Sequence, residues 1–566
     1  MIEKGKNRLI FDSVIIGIVG ALGAQLIILS LHYSKIIFLQ WIAGYKEPGL
    51  PSEGGVIHQV VGPHGLWLIP VVTTIGGLIS GWLVYYFAPE AEGHATDTAI
   101  RSFHEFGGAI RARMPFLKTL TAVITIGSGG SAGREGPSAF FAAGIASIYS
   151  NIMDRSVEER RMLVLVGISA GLSAIFRSPI GSAIFGIEIL YSSMEFETEA
   201  LIYTMLAAIV AYTLNGVFVG WESLFQVPTN LQVTSIEDYA SYIVLGLGCG
   251  LVSTMFPTLF YTIRDLFKKI HIPNHIKPAL GGLGVGVIAM WFPQILSGGY
   301  GWIQQAIYGQ LSVPLLIALI FLNMLALSLT ISSGGSGGLF VPTLYVGAMV
   351  GALFAHLFHQ SSAAFVVVGM AALFAGSARV PIAAILMVTE MTGGYQMLVP
   401  ASLAVMVSYL IQSKLTSNLK YKSLYEAQVP HRSDSPANHE EHLRIALDLL
   451  GNKDINIPTY IGHLDLLTLI KSGIPIDLPG NKKFFITKID KQSSLIGHSV
   501  NSNPLSDAHD ELEIVSVMRD GEVMFPKPDI KLKEEDQLLL ISSEEHWQEI
   551  KDQLILPDEF EELNKA

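Results

Sequence analysis

The feature that most limits how this chain can fold is a repeat within it. The stretch Ser128-Gly129-Gly130-Ser131-Ala132-Gly133-Arg134-Glu135-Gly136-Pro137 returns 205 positions later as Ser333-Gly334-Gly335-Ser336-Gly337-Gly338-Leu339-Phe340-Val341-Pro342. The serines, most glycines and the proline keep their places, while the Arg134-Glu135 tip becomes Leu339-Phe340. A second unit, Val166-Gly167 … Arg177-Ser178-Pro179 … Glu188, returns after 202 positions as Val368-Gly369 … Arg379-Val380-Pro381 … Glu390. In both copies glycine precedes proline by 12 residues, arginine precedes it by two and glutamate follows it by nine. Two separate motif pairs at nearly one offset imply an internal duplication, roughly residues 9–220 and 238–415.

The surroundings of these motifs are apolar. Half of the 566 residues are hydrophobic, 15% are charged, and the mean hydropathy is +0.46. Runs such as Val14 to Leu31, Leu66 to Phe87, Leu201 to Val219 and Leu315 to Ile331 approach or reach the ~20 apolar residues that span a bilayer. The expected class is therefore an all-α polytopic membrane protein, and its 55 glycines suit close helix packing and helix breaks. Residues 431–566 hold 26 Asp/Glu and 14 Lys/Arg, which accounts for the whole chain's net charge of -12. That shift predicts a membrane domain over residues 1–430, a linker or helical segment over 431–482, and a small acidic α+β domain over 483–566. Cys249 is the single cysteine, so neither an intrachain disulfide nor a cysteine metal cluster is expected. Lys4, Lys6 and Arg8 precede a run long enough to be a true span, which argues against a cleaved signal and for a cytoplasmic N-terminus.

Local signals place further elements. Tyr45 to His64 reads as a polar Gly/Pro-rich loop, and Asp97 or Thr96 as the cap of a helix. Another helix is expected to start near Pro137. In the acidic end, Phe484 to Thr487 and Gln537 to Ile541 read as strands. Glu513 to Met518 and Val523 to Phe525 read as a hairpin around Asp520-Gly521. Residues 442–472 have helical spacing, and Ser542-Ser543-Glu544-Glu545 is expected to open a capped helix.

In lipid, non-helical backbone is tolerated only where it is packed in protein or lines a cavity. Helices that start at the two glycine-rich loops aim free N–H groups and positive dipole ends, each equivalent to about +0.5 charge, at one place. Two such ends make a site for an anion without a full charge to trap it. The plainer reading of the glycines is close helix packing alone. Glu135 is the sharpest residue, because a charge at membrane depth costs at least about 2.5–3.5 kcal/mol on insertion scales. Its carboxylate can fill the anion site itself and leave on protonation, which makes it a gate; the alternative is a simple pair with Arg134.

Gly133-Arg134-Glu135-Gly136-Pro137, Gly338-Leu339-Phe340-Val341-Pro342, and Glu390-Met391-Thr392 with Tyr395-Gln396 resemble the signatures of the CLC chloride channel and chloride/proton antiporter family over about residues 10–430. The resemblance implies an inverted-repeat fold working as a homodimer with one anion path per subunit. It implies a multi-pass protein of a prokaryotic cell membrane, with both termini cytoplasmic and chloride as substrate. It assigns gating to Glu135. It assigns anion binding to the loop residues Gly133, Arg134 and Gly136, to Leu339 and Phe340 through their amides, and to Tyr425 through its hydroxyl. It implies no enzymatic activity, no cofactor, no metal and no nucleic-acid partner.

Two departures from the family pattern stand out. Gly93-His94-Ala95-Thr96-Asp97 replaces Gly-Ser-Gly-Ile-Pro, so His94 stands where an anion-coordinating serine is usual. A histidine there offers a direct anion contact, a pH sensor, or only a cap or packing group. Ile189 stands where the antiporters carry an internal proton-transfer glutamate. Adjacent Glu188 points about 100° away on a helix and is either an internal proton relay or, like its twin Glu390, a structural feature of the repeat. The favoured expectation is a gated chloride channel, and the alternative is a chloride/proton antiporter with a non-standard internal route.

The acidic end resembles the TrkA C-terminal (RCK-C) regulatory domain through Ser494-Leu495-Ile496-Gly497, Val517 to Glu522, Pro526 to Asp529 and Leu538 to Ser542. That implies a dimerising module that takes a small ligand, or one that dimerises without it. Two other classes carry less support. A phosphate-using membrane enzyme lacks the Lys-Ser/Thr that follows the glycines of a P-loop. A cation transporter, suggested by the TrkA-like end, lacks a cation filter.

Overall fold

The computed structural model describes residues 2–432 apart from 89–91, 229–230, 232 and 234. Beyond them it describes 435–436, 476–478, 482–489, 496–499, 513–519, 522–524, 530–534 and 536–543. The chain forms two compact units that divide near residue 428.

The first unit is helical, and among the described residues its helices come in two sets of eight. The first set is α1 (Ile2–Lys35), α2 (Ile69–Phe87), α3 (Ala95–Glu105), α4 (Met114–Gly127), α5 (Glu135–Ile152), α6 (Val157–Phe176), α7 (Pro179–Glu188) and α8 (Leu201–Val219). The second is α9 (Ile236–Lys269), α10 (Lys277–Ala289), α11 (Tyr300–Ile307), α12 (Val313–Ser332), α13 (Phe340–Phe358), α14 (Ser362–Ala378), α15 (Pro381–Thr392) and α16 (Leu398–Leu415). A single 3-10 turn precedes both α8 and α16.

The match extends to the backbone. Gly129 and Gly334, just beyond the ends of α4 and α12, take φ of +105° and +102°, where a side chain would strain the chain. Gly130 N–H donates to Thr125 O at 2.8 Å and Gly335 N–H to Thr330 O at 3.1 Å. Arg177 and Arg379 end α6 and α14 at φ of +55° and +59°. The following Pro179 and Pro381 cannot continue those helices and instead start α7 and α15.

Among the described residues, seven helical segments are long and apolar enough to cross a membrane, running from Asn7–Ile42 to Tyr395–Leu415. Side chains such as Leu26, Trp82, Ile202, Val217, Leu251 and Leu410 stand exposed on them, a surface that suits lipid better than water. The sets interlock, with α2 packed on α10 and α7 on α15. The span of α13 is 78% buried, against 39–50% for α2, α8 and α16, so α13 lies at the centre.

Local starts follow their sequence signals with one correction. Ser156 and Ser235 build capping boxes with Glu159 and Asp238 at α6 and α9. Thr96 and Asp97 do not cap α3: that helix already begins at Ala95, which puts both inside its first turn. Asp97 instead accepts the Ala427 N–H at 2.8 Å, fastening the chain that follows α16.

The second unit contains a five-stranded antiparallel sheet. Its strands are β1 (Ile476–Leu478), β2 (Lys482–Lys488), β3 (Glu513–Arg519), β4 (Glu522–Met524) and β5 (Gln537–Ser543), in the order β1-β2-β5-β3-β4. Val517, Leu538 and Leu540 are buried, and the period-two spacing of the last two puts them on one face. Arg519 grips the buried Asp536 with two 2.8 Å bonds. The expected hairpin pairs Val517 with Met524 and Arg519 with Glu522, with its Asp520-Gly521 turn outside the described residues. Ser542 and Ser543 belong to β5, because their backbone pairs with Lys483 and Lys482 rather than opening a helix. Glu544 and Glu545, and the helical spacing of 442–472, lie outside the described residues.

Candidate functional site

The two glycine-rich loops meet. Gly133 and Gly338 exchange backbone hydrogen bonds of 2.9 and 2.8 Å, and Ala95 N–H donates to Gly337 O at 3.3 Å. The starts of α3, α5 and α13 therefore converge, each with first-turn N–H groups that have no acceptor within their own helix.

Glu135, the first residue of α5, is 1% exposed and turns its carboxylate onto the start of α13. Oε1 accepts the Val341 N–H at 3.2 Å. Two glycines leave room for it. A Cβ on Gly133 would lie 1.9 Å from Glu135 Oε2, and one on Gly338 would lie 2.2 Å from Oε1. Gly136 is held to glycine by Gly338 Cα, 2.8 Å from where its own Cβ would be. The carboxyl group thus occupies the positive end of a facing helix, in a seat that any residue larger than glycine at 133 or 338 would close.

Phe340 contributes backbone rather than side chain. Its ring is packed against Phe374 at 4.2 Å and Phe176 at 4.5 Å, which leaves its N–H at the first position of α13. Leu339, 1% exposed, is the residue before that helix and accepts the Thr343 N–H and hydroxyl.

Tyr425 reaches the same place from the far end of the unit. Leu424 N–H donates to Ser377 O at 2.9 Å, and the Tyr261 hydroxyl donates to Leu424 O at 3.1 Å. The Tyr425 ring meets the His94 ring edge-on at 5.4 Å, and its phenol lies within electrostatic reach of Glu135 and Asp97. His94 is 8% exposed; its Nε2 is 3.9 Å from Asp97, and among the described residues its buried Nδ1 has no hydrogen-bond partner.

One sequence alternative needs correction, and Glu188 acquires partners that its spacing alone does not show. Arg134 does not pair with Glu135, and its guanidinium does not point at the glycine seat. Nη1 donates to Glu53 Oε2 at 3.1 Å, Nη2 donates to Glu53 Oε1, and the group lies over the Tyr300 ring at 4.5 Å. Glu188 is tied to the opposite half of the fold. Its oxygens accept the Ile382 N–H at 3.1 Å and the Ala383 N–H at 2.7 Å, capping α15. Glu390 returns the contact, accepting from the Ser178 hydroxyl, Ile180 N–H and Gly181 N–H at the start of α7. The twin glutamates cross-cap the two halves, which satisfies helix-end donors that lipid cannot. Glu53 and Tyr300 are the residues that sequence reasoning passed over. The one available signal was that a buried arginine needs a carboxylate, and the Tyr45 to His64 loop supplies Glu47 and Glu53.

The voltage-gated chloride channel family model matches residues 76–413, and the TrkA-C domain model matches residues 485–555. An H(+)/Cl(-) exchange transporter, ClcA, of Cronobacter sakazakii is 27% identical over 68% of this chain and 84% of its own. Chloride channel protein CLC-f of Arabidopsis thaliana is 30% identical over 64% of this chain and 50% of its own. The crystal structure of a CLC-type fluoride/proton antiporter superposes with a TM-score of 0.62 at 22% identity, covering 75% of this chain and 98% of that one. With more than half its length matched and with this fold, the chain belongs to the voltage-gated chloride channel (CLC) family of integral membrane anion transporters and carries a TrkA-C domain after its membrane helices.

Proposed function

We propose that this protein is a gated chloride channel whose gate is the Glu135 carboxylate. The observation that carries the reading is the seat itself: an anionic side chain held on the Val341 N–H between Gly133 and Gly338. In the closed state the carboxylate takes the place of an anion at the start of α13. When it is protonated or displaced, chloride takes the same N–H groups, with the Leu339–Phe340 backbone, Gly136, His94 and the Tyr425 hydroxyl completing its surroundings. Conduction without coupling is favoured by Glu188, whose two oxygens are committed to capping α15. Coupled chloride/proton exchange is the second reading, supported by the likeness to an H(+)/Cl(-) exchange transporter.

The working unit in this reading is a homodimer in a cell membrane with both termini cytoplasmic, and the TrkA-C domain dimerises and takes a small ligand. The test is purified protein in liposomes with a chloride gradient, recording chloride efflux and external pH together. Chloride movement without proton movement supports the channel. Stoichiometric uphill proton movement establishes exchange instead, and absence of anion flux sinks both.

A further inference from the structure

Beside the glycine seat lies a cavity of about 390 Å³ lined by Lys35, Glu47, Glu53, Arg134 and Tyr300 among others. Its charges come from two sources. Lys35, where α1 passes into a π-helical turn (Ile36–Ile42), and Arg134 belong to the membrane body. Glu47 and Glu53 belong to the loop between α1 and α2. Each acid is docked on one cation, Glu47 on Lys35 and Glu53 on Arg134.

The loop is braced to hold them there. Tyr45 pairs with Val61 and Lys46 with Val60 at its base. Gly49 N–H donates to Val56 O and Gly55 N–H to Leu50 O, both at 2.8 Å. A 3-10 turn (Pro51–Glu53) ends on Gly54 at φ +73°. Ser52 is fixed by its hydroxyl to Leu224 O at 2.6 Å and by the Arg177 guanidinium at 3.2 Å. Glu53 is thus delivered to Arg134 by an ordered element.

Resting on the reading of Glu135 as the gate, we propose that Arg134, over the face of Tyr300, is an anion subsite at the mouth of the path, and that Glu53 is its built-in competitor. Arg134 is 9% exposed, and a guanidinium so buried requires a negative partner. The residue after it is the gate. With Glu53 docked, the subsite is filled by a carboxylate; with Glu53 withdrawn, the ligand is a small inorganic anion from the cavity. At roughly 30 Å³ per water the cavity holds on the order of ten water molecules, enough for a hydrated anion to enter. The protein then places a carboxylate in two successive anion positions, Glu53 on Arg134 and Glu135 on α13.

The competition works on anion concentration rather than on pH near neutrality. Burial alone pushes the Glu53 carboxyl up, but Arg134, with Arg177 and Lys35 behind it, outweighs this and holds it below the usual carboxylate range. A depressed carboxyl keeps its ion pair above its ordinary pKa and loses it only as pH falls through the lower folded value. Besides Glu53, Lys35 and Arg134, the titratable groups that face this cavity are His32, Tyr45, Lys46, Glu47 and Tyr300. A subsite open only when Glu53 is away binds its anion more weakly by that open fraction.

The test uses the full chain in liposomes, with initial chloride flux measured against chloride concentration at fixed pH 7.5 and chloride varied on each side in turn. Glu53→Gln is expected to lower the half-saturating chloride concentration about tenfold, and Arg134→Gln to raise it. In the Arg134→Gln background the Glu53→Gln gain should vanish. Unchanged half-saturation in Glu53→Gln, or a gain that persists without Arg134, overturns the subsite. Where Glu53→Gln does not fold, Glu53→Asp keeps the charge and shortens its reach, and a several-fold lower half-saturation is expected; no change overturns the proposal. Absence of wild-type chloride flux counts against the Glu135 reading itself, whereas wild-type flux with an unmoved Glu53→Gln curve counts against the subsite alone.

Discussion

Ser128 to Pro137 and Ser333 to Pro342 share a backbone and differ in their cargo. Each follows a helix closed by a glycine at φ near +100°, each opens a new helix, and their glycines bond to one another across the centre. One tip then carries Arg134 and Glu135, a buried cation and a buried acid that part company. The other carries Leu339 and Phe340, whose side chains go into the core and whose backbone faces the seat. Glu188 and Glu390 behave in the opposite way: they are identical in type, reciprocal in contact, and each caps the other half's helix. The contrast separates two kinds of residue. Where the halves agree, the residues hold the fold; where they disagree stand the residues to which the proposed gate and its seat are assigned.

The comparison can be broken at its most sensitive point by Gly133→Ala. The three atoms nearest the added Cβ all belong to the Glu135 carboxylate, so the gate leaves its seat while the backbone stays. Chloride flux at neutral pH is expected to change about tenfold or more, read in liposomes; wild-type flux would show that the seat does not gate. Next in size, Glu135→Gln removes the titrating group, and the flux should lose its dependence on pH between 4.5 and 7.5. A surviving dependence would move the sensor to His94, the buried ring beside Tyr425.

The cross-caps offer a stability test. Glu390→Ala orphans three donors and Glu188→Ala two, each in a dry interior. Losses of about 2–3 kcal/mol are expected, larger for Glu390, seen as lowered thermal midpoints in detergent. Glu188→Gln should leave the proton-to-chloride ratio untouched, and a changed ratio would make Glu188 a relay after all. The smallest effect is expected in the second unit, where Arg519→Lys keeps the charge but loses the paired hydrogen bonds to Asp536. It should cost about 1–2 kcal/mol in chemical denaturation and leave flux through the membrane unit unaltered.

Much of this was legible in the chain because duplication writes itself twice. The 205- and 202-residue offsets locate both loops, both helix breaks and both glutamates from the sequence alone. Glu135 stood out because a charge in an apolar run demands a reason. What stayed hidden were partners distant in sequence. Nothing local says that Arg134 reaches 81 residues back to Glu53, or that Glu188 caps α15. The π-turn Ile36–Ile42 is equally silent, since its apolar residues read as more α-helix. Strand β1 is only three residues long, too short for a period to declare itself.

The reciprocal caps also set a timetable for synthesis. Ser178, Ile180 and Gly181 take their acceptor from Glu390, which is 209–212 residues later in the chain. At a translation rate of about 5–20 residues per second, that partner arrives roughly 10–40 seconds after α7. Through that interval the start of α7 holds donors that lipid does not satisfy, at a cost of several kcal/mol per group. The first eight helices are therefore an unfinished object, which the membrane-insertion machinery has to shelter until α15 is made. Two half-length chains expressed together should assemble, and either one alone should be degraded.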